Sequence, residues 1–166
     1  GAAVRSCHPA QGHCGGCMIE YINRFHPEIN DIWGKLPDLT LALRDRLWVR
    51  GMKPLPYSDL LHNVQEHIRG HGEDYTLVTA GPCVVGYNYV KPWWSEHSVY
   101  IEEFIIRYKP GNFADTIKAL EQHAKALGCK DLVISSLAMM RQESYGEYLK
   151  RKGFREVTRQ YVKGIT

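Results

Sequence analysis

One stretch limits the fold more than any other. Between residues 99 and 136, an apolar strand-like run from Val99 to Arg107 is followed by a helical stripe. A second strand-like run from Asp131 to Ser136 follows the stripe. In the stripe, Phe113, Ile117, Leu120, Ala124 and Leu127 step by four, three, four and three residues, which is one face of a helix. Asn112 is placed to cap that helix and Asp115 puts a negative charge in its first turn. Gly128 stands where its C-terminal cap belongs. A chain that crosses over a helix re-enters its sheet in the same direction, so the two strands are predicted to lie parallel. Leu132, Val133 and Ile134 make the second strand apolar on both faces, which predicts a place at the sheet centre.

The segment before this unit reads as an antiparallel meander. Tyr75 to Ala80 and Cys83 to Val90 are strand-like and joined by a Gly81-Pro82 turn, and the loop from Lys91 to Ser95 leads to Val99. Upstream, Ser58 is a good cap for a helix to about Arg69, with Leu60, Leu61, Val64 and Ile68 on one face and Gly70 at its end. Val4 to Cys7 reads as a short strand, and Met18 to Phe25 as a helix stopped by Pro27. Pro27, Pro37, Pro54 and Pro56 break up residues 27–57, where Leu39 to Trp48 reads as a helix or turn. A last helix is expected over Arg141 to Lys152, closed by Gly153, and then a strand from Arg155 to Lys163.

A chain of 166 residues suits one domain, with residues 1–74 before the regular core and 75–163 forming it. The net charge of +3 is mild and the basic residues are dispersed, which argues against a nucleic-acid partner. No apolar run has membrane-spanning length and no signal-peptide pattern opens the chain, so a cytoplasmic protein without a membrane partner is expected. Five cysteines in such a chain read as free thiols. Cys7, His8, His13, Cys14 and Cys17 hold a His-Cys-x-x-Cys pattern but lack a second well-spaced pair, so no metal is expected.

The strand–loop–helix junction from Arg107 through Tyr108, Lys109, Pro110, Gly111, Asn112, Phe113 and Ala114 carries the chemistry. The first N–H groups of a helix lack internal partners and lie at the positive end of its dipole, so a pyrophosphate fits there. Arg107 and Lys109 add charge. Read blandly, the same residues make a connecting turn. Glu102 and Glu103 are adjacent on a strand and face opposite sides, and Glu102 is expected to share a face with Tyr100 and Phe104. Trp93 and Trp94 sit in a polar loop, where they would form a substrate wall, a homodimer contact or a fold back onto the core.

The whole order of strands and helices, with Tyr-Ile-Glu-Glu-Phe-Ile-Ile, Ala-Leu-Glu-Gln-His-Ala-Lys-Ala-Leu-Gly-Cys and Tyr-Leu-Lys-Arg-Lys-Gly-Phe, resembles the GNAT superfamily of N-acetyltransferases over residues 75–163. Some phage-encoded members have a similar Trp-Trp loop. The resemblance implies a mixed, mostly antiparallel sheet with helices on both faces and a central parallel pair. It implies acetyl transfer from acetyl-CoA to an amine of a small molecule or peptide. The backbone of Phe104, Ile105 and Ile106 would pair with the pantetheine arm. The loop Arg107, Lys109, Gly111, Asn112, Phe113 and Ala114 would hold the phosphates. That loop departs from the family's Gln/Arg-x-x-Gly-x-Gly/Ala, being about two residues short with Phe113 at a position for a small residue.

For the chemistry, the resemblance points to Glu102 as base, with Glu103 as the fallback. The family's acidic tyrosine position falls on Leu149, beside which Tyr145 and Tyr148 stand as candidates. Trp93, Trp94 and Tyr100 would contact the acceptor. A catalytically silent acyl-CoA-binding or scaffold protein of the same fold is the alternative. A nucleic-acid factor stacking bases on the two tryptophans is a further one.

Overall fold

The computed structural model describes residues 18–49, 51–71, 76–135, 142–157, 161 and 163–165. The elements run β1 (Ile19–Tyr21), α1 (Ile29–Val49), α2 (Tyr57–Ile68), β2 (Leu77–Ala80), β3 (Cys83–Val90), β4 (Ser98–Arg107), α3 (Phe113–Ala126), β5 (Cys129–Val133) and α4 (Gln142–Arg151). The strands form one sheet in the order β1-β2-β3-β4-β5. The first three pairings are antiparallel and β4 with β5 is parallel, as the crossover through α3 requires.

Side-chain alternation gives the sheet two apolar faces. On one face Val85, Tyr100 and Ile105 pack with Ala119, Leu120 and Ala124 of α3. On the other, Val84, Phe104, Ile106 and Tyr108 pack with Ile32 and Leu36 of α1 and Ile68 of α2. Helix α4 closes against α3 through Tyr145, Leu149 and Ile117.

A bulge in β4 sets the faces. Phe104 pairs with Gly86 and Glu102 with Tyr87, so Glu103 is an extra residue. Tyr100 and Glu102 therefore lie on the α3 side, whereas Phe104 is moved to the α1 side, correcting the expectation that all three share a face. The Phe104 ring lies over Gly86, where an added Cβ would sit 2.2 Å from Phe104 Cε1.

Several expected elements differ. Ile19–Tyr21 is a strand paired with β2 and not part of a helix. Helix α1 runs straight through Pro37, which costs one N–H bond; burial of Ile32, Leu36 and Thr40 along its face offsets that. Helix α2 begins at Tyr57 with Pro56 before it, leaving Ser58 inside. Strand β5 lies earlier than expected and, among the described residues, at the sheet edge, with Lys130, Asp131 and Val133 exposed. Residues 155–157 form no strand. The expected strand at Val4 to Cys7 and the N-terminal Cys and His residues lie outside the described residues. Among those described, no helix is long and apolar enough to cross a membrane.

Candidate active site

The site begins where two parallel strands part. The β4–β5 register runs from Ser98–Cys129 to Ile101–Val133 and stops, while β4 continues to Arg107 against β3. The Tyr108 N–H donates to the Pro82 carbonyl at 3.0 Å. Alternation along the antiparallel ladder then aims the peptide groups of Ile106 and Phe104 at β3, and those of Ile105 and Arg107 away from it, toward the β5 side. Of the three expected arm-binding residues, only Ile105 turns its backbone to the β5 side, and Arg107 does the same.

Glu102 stands at the parting point. It is 2% exposed, and its Oε2 accepts the Ser135 N–H at 2.9 Å, across from the end of β5. The buried Tyr145 hydroxyl has its pKa pushed up by desolvation first, then by the charge of Glu102. The fold thus leaves Tyr145 within electrostatic reach of Glu102. Glu103 is exposed at the bulge. Tyr148 lies 5.7 Å, ring to ring, from Phe113, and its hydroxyl is enclosed with no hydrogen-bond partner among the described residues. The Phe113 ring stands at the same distance, 5.7 Å, from Tyr145, so one aromatic side chain ties the start of α3 to α4.

The loop after β4 is tightly engaged within the protein. Asn112 caps α3, its Oδ1 accepting the Ala114 N–H at 2.9 Å and its carbonyl the Asp115 N–H at 3.1 Å. Arg107 Nη1 donates to the Gly111 carbonyl at 2.5 Å. Lys109 Nζ pairs with Glu28 Oε1 at 2.8 Å; that bond raises the lysine pKa and lowers that of the glutamate. Gly111 packs on the β2–β3 turn, where an added Cβ would meet Pro82 Cβ at 2.8 Å.

Trp93 and Trp94 are 95% and 70% exposed in the loop before β4, at the end of the strand away from the α3 junction. The core reading of that loop is thereby overturned. Tyr100, expected to face an acceptor, is fully buried, its hydroxyl 3.0 Å from His123 Nδ1. His123 Nε2 lies 3.2 Å from the Tyr21 hydroxyl, and the Tyr87 ring stacks on Tyr100 at 4.9 Å. Burial holds the His123 pKa down to about 4, so the ring is neutral. His123 is wholly buried. It sits between Leu120 and Ala124 in the apolar stripe, the signal that could have placed it. Among the described residues no group of three His, Cys, Asp or Glu side chains could hold a metal ion.

No protein-family profile and no curated protein matches the chain. Solved structures do. An integron cassette protein from the mobile metagenome of V. cholerae superposes with a TM-score of 0.55 at 15% identity, over 89% of this chain and 91% of that one. An aminoglycoside acetyltransferase from an uncultured soil metagenomic sample superposes with a TM-score of 0.53 at 12% identity, over 89% of this chain and 97% of that one. The chain shares its mixed α/β fold with these two proteins.

Proposed function

We propose that the protein is an N-acyltransferase that moves an acetyl group from acetyl-CoA to an amine. The observation that carries this reading is that β4 runs on to Arg107 past its last pair with β5, Ile101–Val133, with Glu102 buried beside that point. The peptide groups of Ile105 and Arg107 would pair with the amides of a pantetheine arm. The thioester supplies an acetyl carbon to which an amine nitrogen bonds as the carbon–sulfur bond breaks. Glu102 takes the proton the amine gives up, directly or through a water, and Tyr145 returns a proton to the departing thiolate. Tyr145 is protonated at neutral pH and so carries the proton that the second role needs. Trp93 and Trp94 would meet a small-molecule or peptide acceptor at the far end of β4.

Thiol release from acetyl-CoA across a panel of amines tests the reading. Release that depends on one amine class supports it. The internal engagement of the phosphate loop favours a second reading, a binder without catalysis; binding with no thiol release for any amine would establish that instead.

A further inference from the structure

The α1 side of the sheet holds a cavity of about 30 Å³, lined by α1, α2 and strands β2 to β4. Its origin is legible in α1. Ile32, Leu36, Thr40 and Leu43 step by four, four and three, so a short hydroxylated side chain stands where the stripe calls for a large apolar one. Val64 of α2 and Phe104 of β4 line the same space. Among the described residues, Thr40 is the one polar side chain in a lining that is otherwise apolar.

Thr40 is 2% exposed, and its Oγ1 is enclosed with no hydrogen-bond partner among the described residues. A threonine inside a helix ordinarily returns its hydroxyl to a carbonyl three or four residues back. Here it bonds neither Pro37 nor Leu36. Buried polar groups are nearly always paired, so this hydroxyl points to a missing partner. Water suits the place poorly, since a buried water needs two to four polar groups around it. An ion suits it worse: no charged side chain lines the cavity to repay the lost hydration. One water needs roughly 10–15 Å³, so the enclosed space takes about two or three non-hydrogen atoms.

We propose that this cavity is a binding site for a short-chain neutral alcohol, its hydroxyl on Thr40 Oγ1 and its carbons among Leu36, Leu43, Val64 and Phe104. A threonine hydroxyl both donates and accepts, and an alcohol answers either role. Glu102 lies on the opposite, α3 face of the sheet, so the site is separate from the candidate active site and does not rest on the acyltransferase reading.

Methyl resonances of the intact carbon-13-labelled chain, titrated with ethanol and 1-propanol, test it. So few atoms bind no more tightly than about millimolar, which sets the titration at up to roughly 100 mM. Saturable shifts at Leu36, Leu43 and Val64 are expected with the alcohols, and none with propylammonium or propanoate. Thr40→Val keeps the side chain's shape without its hydroxyl. It is expected to weaken 1-propanol binding by about fivefold or more, and to raise the thermal midpoint of the free protein by removing an unpaired group. Thr40→Ser, which keeps the hydroxyl, is expected to hold alcohol affinity within about threefold. Unchanged alcohol affinity in Thr40→Val, or an equal response to the charged analogues, would make the cavity a packing void without recognition and overturn the proposal. A lowered midpoint or failure to fold in Thr40→Val would show the hydroxyl already paired, which overturns it as well. Absence of saturable shifts at these methyls with either alcohol contradicts it outright.

Discussion

The Ser135 N–H donates to Glu102 Oε2 at 2.9 Å across the point where β4 and β5 part. The bond fixes a buried carboxylate at that point. A glutamine there keeps an oxygen for the Ser135 N–H and loses the ability to accept a proton. Glu102→Gln is expected to lower amine-dependent thiol release by about a hundredfold with thioester affinity nearly unchanged. The deficit narrows at high pH, where the amine is already deprotonated. Glu103→Gln, at the exposed bulge position, is expected to change turnover by less than about threefold.

The two tyrosines of α4 separate by substitution. Tyr145→Phe removes the hydroxyl near Glu102 and is expected to lower turnover by about tenfold or more. Tyr148→Phe removes an enclosed hydroxyl that has no partner among the described residues. It is expected to raise unfolding stability by about 1 kcal/mol with turnover little changed. Urea unfolding and thiol release on both variants decide it.

Gly86 is required by the ring above it. Gly86→Ala places a methyl where Phe104 Cε1 and Cζ would lie 2.2 and 2.6 Å away. A loss of about 2–3 kcal/mol is expected in urea unfolding. Adding Phe104→Leu to that variant is expected to recover part of the loss, because the crowded ring is gone.

Two buried histidines set the acid limit. His123 lies between Tyr21 and Tyr100. His26 bonds Thr79 Oγ1 at 2.7 Å through Nε2 and accepts the Glu28 N–H at 3.0 Å through Nδ1. Desolvation lowers both pKa values to about 4. Their folded pKa lies below the unfolded value of 6.5, so the unfolded chain takes up protons that the folded one refuses. Stability is full above pH 6.5 and falls as the pH drops toward 4, by about 3 kcal/mol for each histidine. Unfolding measured between pH 7 and 4 is expected to show this loss, and His123→Gln to flatten it by about half.

The legible parts of the fold were those with strong local patterns. Cys83 to Val90 and the Asn112 cap stand where the sequence places them, because a run rich in valine and tyrosine and a capping side chain act locally. The Ile19–Tyr21 strand is three residues long and exists only through its pairing with Leu77–Ala80, which its own sequence does not announce. Pro37 reads as a stop, yet tertiary burial of its helix overrides the lost hydrogen bond. Glu102 was legible as a candidate. Its register was not, since the Glu103 bulge depends on Phe104 lying over Gly86. Ser135 as its partner, and Glu28 as the partner of Lys109, come from contacts distant in sequence.

The central claim, that β4 beyond its last pair with β5 takes a thioester arm, is tested most directly by amide resonances. Titration of the nitrogen-15-labelled protein with acetyl-CoA is expected to shift the Ile105 and Arg107 amides first and most, with Phe104 and Ile106 following weakly, because their peptide groups turn to β3. Shifts confined to α1 and α2, or none at any residue of β4 at millimolar thioester, would contradict it.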